Sequence, residues 1–171
     1  MTESLAGKDA DRERELLRQL QRGLQDALDD LRDLARGIYP PLLADQGLHA
    51  ALQAQARRSP VPVVVGADAI GRYPQEAEAA VYFCVLEALQ NVAKYADASG
   101  VVVRLDGDES ELRFEVRDDG RGFDATSTSY GTGLQGMADR LAALGGELRV
   151  ESSPGMGTTV TGVLSVSGRG A

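Results

Sequence analysis

One cysteine and one histidine are all that the 171 residues contain of the two residue types most used as soft metal ligands and nucleophiles. With Cys84 alone, no internal disulfide can form, and its place in an apolar stretch makes it most simply a small core residue. No run of about 18 apolar residues occurs, and the polar N-terminus lacks an apolar signal core, so neither a membrane-spanning helix nor a secretory leader is expected. A reducing, cytoplasmic setting follows as the expectation. There is no excess of positive charge: 18 Lys and Arg stand against 26 Asp and Glu, a net charge of −8. Nucleic acid and anionic membranes are therefore poor partners for the whole molecule, although local cationic sites are not excluded. No Gly-Lys-Ser/Thr run exists, so there is no P-loop, and the glycines lack the alternating strand–helix–strand order of a dinucleotide fold. What remains is a chain with 43% apolar residues, long enough for one domain with an appendage and a buried core.

The stretch from Ala80 to Tyr95 is the most informative one. Val81, Val85, Leu86, Leu89 and Val92 recur at helical spacing and form an apolar stripe. Glu87, Asn91 and Lys94 fall at i, i+4 and i+7 and stack in one polar row. A carboxylate and an amide on so apolar a helix cost free energy unless partnered. The row is either a solvent-facing stripe or one that points into a polar cavity.

Around this helix the chain divides as follows. Residues 1–10 are polar and small, a frayed start. From Asp11 to about Ile38, Leu16, Leu20, Leu24, Ala27, Leu31 and Leu34 step by three or four along a long amphipathic helix, which Gly23 weakens and Pro40-Pro41 stops. Such a helix cannot bury its stripe alone; it packs either on partner helices, plausibly of a second copy, or on its own domain. Leu42 to Arg58 predicts a short loop and a second helix through Leu48, Ala51, Leu52 and Ala56. Val61 to Val65 reads as a strand, and about Gln75 to Ala96 as the helix bearing the polar row. Val101 to Leu105 and Glu111 to Arg117 form a hairpin, the second strand alternating Leu112, Phe114 and Val116 with charged residues. A small-residue loop, Asp124 to Tyr130, leads to a helix from Gly131 through Leu144, stopped by Gly145-Gly146. Glu147 to Ser152 and Thr158 to Val166 are the last strands, and 167–171 a disordered tail.

Three glycine clusters follow the polar row: Gly120 with Gly122, Gly131 with Gly133 and Gly136, and Gly155 with Gly157. Glycine permits positive φ and close approach of a ligand. A glycine-bounded helix start offers unpaired N–H groups and a positive dipole end to phosphate. Singly these are ordinary turns. Taken in order, Glu87-x-x-x-Asn91, Asp118-Asp-Gly-Arg-Gly122, Gly131-Thr-Gly-Leu134 and Pro154-Gly-Met-Gly-Thr158 are more specific. Over about Leu48 to Val166 this constellation resembles the ATPase domain shared by sensor histidine kinases, type II topoisomerases, MutL repair proteins and heat-shock chaperones, the GHKL or Bergerat fold. Gly133 to Arg140 followed by Leu144-Gly-Gly146, with Leu31 to Leu43 and then Gly47-Leu48, resembles the nitrate- and degradation-sensor histidine kinases that pair with LuxR-like response regulators.

The resemblance implies an α/β fold in the form of an α+β two-layer sandwich, with a mixed, mainly antiparallel sheet packed on helices and a long helix before it. It implies a partial dimerisation helix at 11–41 and the ATPase domain at 42–166. By it, Asn91 ligands a Mg²⁺ that bridges the ATP phosphates, and Glu87, one turn earlier, is the catalytic-side carboxylate, at most a partner in orienting water. Lys94 reaches toward phosphate, and Tyr95 stands where these kinases often carry histidine. Asp118 accepts from the adenine amine, Gly120 and Gly122 admit the base, and Phe123 packs against it. Gly131, Thr132, Gly133 and Leu134 close over the phosphates, and Thr158 reaches the adenine edge. The phosphoacceptor of such kinases lies on a first dimerisation helix, for which nothing here matches; His49 follows Gly47-Leu48 in the linker helix instead. The chain thus reads as the ATP-binding catalytic region of a two-component kinase, a piece of a longer one rather than a natural chain without its acceptor. It would not phosphorylate itself alone, would form homodimers through its first helix, and would act with a response regulator. A nucleotide-gated interaction module and an anti-sigma-type serine kinase are the alternatives on the same fold.

Overall fold

A computed structural model describes residues 40–67, 70–125 and 131–166. The expected frayed start, the long first helix, most of the small-residue loop and the C-terminal tail lie outside the described residues.

Helix α1 spans Pro41–Ala56 and opens with a proline at its first position, where the missing N–H would be unbonded anyway. Gly47 breaks it into two pieces with φ 79° and ψ −178°, a conformation open to glycine and strained for other residues. Leu43, Leu48, Ala51 and Leu52 face inward. Strand β1 (Val63–Ala67) begins two residues later than the apolar run suggests. Pro62 has no N–H to give a ladder, and its carbonyl instead accepts from Val101 N at 2.9 Å. Helix α2 (Gln75–Asn91) then carries the chain across, so that β2 (Val101–Gly107) pairs parallel to β1.

The remaining strands are antiparallel: β3 (Glu111–Asp118) on β2, β5 (Thr158–Ser165) on β3, and β4 (Glu147–Ser152) on β5. The five-stranded order is β1-β2-β3-β5-β4, a mixed, mainly antiparallel sheet. Its inner face is filled by alternating residues such as Val103, Leu105, Leu112, Phe114, Val116 and Leu164. Helices α1, α2 and α3 (Thr132–Ala142) supply the second layer. Among the described residues no helix is long and apolar enough to cross a membrane.

On α2, Val81 and Val85, and Val92 just past its end, are buried as the stripe predicts, but Leu86 and Leu89 are only half-buried. The wider buried face includes Ala77, Ala80, Cys84 and Ala88, whose small side chains let the helix lie close to the sheet. The core admits little slack. Gly162 sits opposite Phe114 in the β3–β5 register, and a Cβ there would overlap the Phe114 ring and come within 2.9 Å of Leu141 Cδ1. Gly162→Ala is therefore expected to cost about 2 kcal/mol by overpacking, measured as a lower urea midpoint at unchanged slope.

Candidate functional site

The polar row meets a helix start. Glu87 and Asn91 are half-buried on the last turns of α2, and Gly133, in the first turn of α3, lies directly over them. A Cβ on Gly133 would stand 2.5 Å from Glu87 Oε1 and 3.5 Å from Asn91 Nδ2. A side chain at this position would have to push the end of the Glu87 side chain aside. Gly131, at the N-cap of α3, brings no side chain to cap the first N–H groups, which leaves this helix end chemically suited to an anion. Thr132 is exposed here and Leu134 half-buried.

Lys94 departs from the row. After Asn91 the α-helix gives way to a π-helical turn, Val92–Ala96, closed by Asp97 in the left-handed region at φ 52°. The wider turn changes the angular step, and Lys94 and Tyr95 both end exposed, Tyr95 at 58%. Neither makes a hydrogen bond or ion pair among the described residues. The π turn instead presents Ala96 O to the next motif: Arg121 N donates to it at 2.7 Å, and Gly120 packs against it so tightly that a Cβ would overlap it.

That motif closes β3. Asp118 is 5% exposed; its Oδ1 accepts from Gly120 N at 2.9 Å, and its Oδ2 has no partner among the described residues. Asp119 faces the other way, exposed, and accepts from Ser99 N at 2.8 Å, Gly100 N at 3.0 Å and the Ser99 hydroxyl. These bonds, that of the Ser99 hydroxyl foremost, hold its carboxyl below the usual range. Gly122, at φ 57°, turns its α-carbon onto Ser153 O, and Gly157, at φ 74°, onto Asp118 O. These glycines are thus required first by the chain itself: two loops interlock backbone to backbone. Gly155 N donates to Arg121 O at 2.6 Å and completes the lock. Arg121 exposes its side chain, and Phe123 is half-buried.

Ser152, which sequence patterning passes over, joins these parts. Its hydroxyl accepts from Phe123 N at 2.9 Å, donates to Gly157 O at 3.0 Å, and lies 3.0 Å from Thr158 Oγ1. A signal existed: Ser152 takes the inward position after Leu148 and Val150 on an alternating strand, where an apolar residue would be expected. The structure therefore gathers Glu87, Asn91 and Gly133 in one group, and Asp118, Gly120, Gly122, Phe123, Gly157 and Thr158 in a second, joined through Ala96. His49 stays apart in α1, its Nε2 3.1 Å from Gln53 Nε2. Arg140 holds its guanidinium over the Phe83 ring, 5.5 Å from its centre. No group of three or more His, Cys, Asp or Glu side chains able to hold a metal occurs among the described residues.

Comparison with known proteins gives a family match over residues 76–167, to the histidine kinase-, DNA gyrase B- and HSP90-like ATPases. The chain is 39% identical over 90 residues to the signal transduction histidine-protein kinase/phosphatase DegS of Brevibacillus brevis, covering 52% of this chain and 23% of that protein. It is 35% identical over 147 residues to the sensor histidine kinase MctS of Rhizobium johnstonii, covering 81% of this chain and 32% of that protein. The chain thus spans a third or less of the length of these relatives. Among solved structures, the blue-light activated histidine kinase of Erythrobacter litoralis EL346 matches with a TM-score of 0.58 and 29% identity, over 70% of this chain and 42% of that one. The Acinetobacter baumannii histidine kinase AdeS, at a TM-score of 0.60 and 15% identity over 91% of this chain and 84% of that one, shares the fold.

Proposed function

The chain belongs to the histidine kinase-, DNA gyrase B- and HSP90-like ATPase family, and from that premise we propose that it is the ATP-binding catalytic region of a two-component sensor histidine kinase. The observation that carries the nucleotide site is Asp118, a carboxylate 5% exposed with one oxygen bonded to Gly120 N and the other without a partner among the described residues. A buried carboxylate in this position needs a donor, and the exocyclic amine of adenine supplies one where the guanine oxygen would not. Gly120, Gly122 and Phe123 shape the loop beside it.

At the other group, the α3 N-terminus from Gly131 to Leu134 faces the phosphates with its free N–H groups and dipole. Asn91 and Glu87 offer one amide and one carboxylate oxygen set, a sparse ligand field that suits a Mg²⁺ keeping most of its waters and phosphate oxygens. Asn91 would hold that ion, which neutralises phosphate charge during transfer, and Glu87 would orient a neighbouring water. Lys94 and Tyr95 reach the nucleotide only by swinging from their exposed positions. Phosphoryl transfer of this kind rests on positioning and electrostatics more than on acid–base chemistry, which accords with the absence of a histidine near Asn91. The acceptor is a histidine outside this sequence, the dimer contact is the helix expected at 11–41, and the downstream partner is a LuxR-like response regulator in the cytoplasm.

Calorimetric titration tests the site. The chain is expected to bind ATP in preference to GTP, and Asp118→Asn, which turns an acceptor into a partial donor, to weaken ATP at least about tenfold. Equal binding of the two nucleotides by the unaltered chain would sink the adenine pocket.

A further inference from the structure

The hydrogen-bond count around Ser152 fixes something that no single residue shows. A serine hydroxyl has one hydrogen and two lone pairs. Phe123 N–H donates to Ser152 Oγ at 2.9 Å, which uses one lone pair. Gly157 O lies 3.0 Å away and, as a carbonyl, can only accept, so the single Ser152 hydrogen goes there. The third neighbour, Thr158 Oγ1 at 3.0 Å, must then donate into the remaining lone pair. Ser152 is saturated, and the Thr158 hydrogen is committed to it.

Thr158 is consequently left with lone pairs only. The register that pairs Arg117 with Thr159 brings Asp118 opposite Thr158 one step on, both at inward positions of their strands. Gly157, against Asp118 O, holds the two strand ends together. Side by side, this edge of the sheet then offers two acceptors, the Asp118 carboxylate and the Thr158 oxygen.

We infer that Ser152 is a specificity-determining positioning residue: by holding the Thr158 hydrogen, it makes Thr158 an acceptor and sharpens selection of a 6-amino over a 6-oxo purine. This rests on the ATP-site reading given above. A threonine free to rotate would turn its hydrogen toward a 6-oxo group and bind it; a threonine locked by Ser152 sets a lone pair against that oxygen, beside the like-charged face of Asp118. Discrimination arises from unpaired and repelling groups rather than from shape, the means by which polar sites reject close analogues most strongly. Ser152 itself touches no ligand in this scheme and acts through Thr158.

The experiment compares ATP with inosine triphosphate, which differs at the purine edge by an oxo group for the amine and a proton on N1, on the full chain. Ser152→Ala is expected to lower the ATP-to-ITP affinity ratio about tenfold, mainly by improving ITP relative to ATP. Thr158→Val is expected to lower the ratio as well, and in the Thr158→Val background Ser152→Ala is expected to change it no further. A purely structural serine would weaken both nucleotides alike, leaving the ratio unchanged, and that result overturns the inference. Should Ser152→Ala fail to fold, Thr158→Val alone decides: an unchanged ratio again overturns it. Wild-type chain that binds ATP and ITP equally overturns the adenine site itself and the role of Ser152 with it, whereas a preference for ATP that survives Ser152→Ala intact removes only the latter.

Discussion

Gly157→Ala is expected to cost about 2–4 kcal/mol of stability and to abolish nucleotide binding in whatever fraction stays folded. Two costs add at this position. A non-glycine residue held at φ 74° pays about 1 kcal/mol or more for the left-handed conformation. The new methyl would also fall inside van der Waals contact of Asp118 O and within 3.2 Å of Asp119 Cα, and overpacking against immovable backbone adds about 1–3 kcal/mol. The contact that must yield is the end of β3, so the displacement reaches Asp118 directly. Gly155→Ala separates the terms. Gly155 has φ 78° but open space where a Cβ would go, so only the conformational cost of about 1 kcal/mol is expected there. Urea unfolding of both variants, with ATP titration of each, makes the comparison; equal losses in the two would show that Gly157 does not hold the β3 end in place.

This pair also shows where sequence patterning succeeds and where it stops. Helical periodicity put Glu87 and Asn91 on one face of α2, because a 3.6-residue repeat is a local property. Alternation in Leu112, Phe114 and Val116 marked β3 for the same reason. The glycine clusters were legible as places needing a bare α-carbon, but not why. From the residues alone, close approach of a ligand and close approach of another loop look the same. Gly120, Gly122 and Gly157 meet Ala96 O, Ser153 O and Asp118 O, partners up to 39 positions distant in the chain for Gly157, as the numbering of the two residues states. Gly133, over Glu87 and Asn91, is the one whose neighbours are the polar row itself.

The departures have similar causes. An α-helical step extended past Asn91 places Lys94 in the row, but there the chain takes a π turn, and Ala96 O accepts from Arg121 N. Ser152 looked like a strand end, because its value lies in three partners on other segments. Glu78, one of two acidic residues in the first turn of α2, is fully buried, which no local pattern marks. Each depends on contacts that form only once distant segments have met, and no window of neighbouring residues contains them.

The Glu78 contact has the second large expected effect. Its carboxylate is 0% exposed and accepts from Arg72 Nε at 2.9 Å, Arg72 Nη2 at 3.2 Å and Tyr73 N at 3.1 Å. The same guanidinium donates to Ala44 O at 3.1 Å and Leu43 O at 3.4 Å, carbonyls of the helical piece before the Gly47 break, while its carbon chain covers Gly47. Arg72 thus braces the first piece of α1 against the first turn of α2. Arg72→Ala would leave a buried carboxylate without its counter-charge, at a cost of about 3 kcal/mol, the low end of the usual range because the Arg72 side chain is 55% exposed. The brace meets α2 at Glu78, and Glu87 and Asn91 of the polar row lie about 14 and 20 Å further along the helix at 1.5 Å per residue. ATP affinity is therefore expected to hold within about twofold at temperatures where the variant is folded. Amide exchange should quicken across Ala44 to Leu48 and not at Asn91 or Asp118. Loss of ATP affinity in step with the loss of stability would mean that the two ends of α2 are coupled and that the brace belongs to the site.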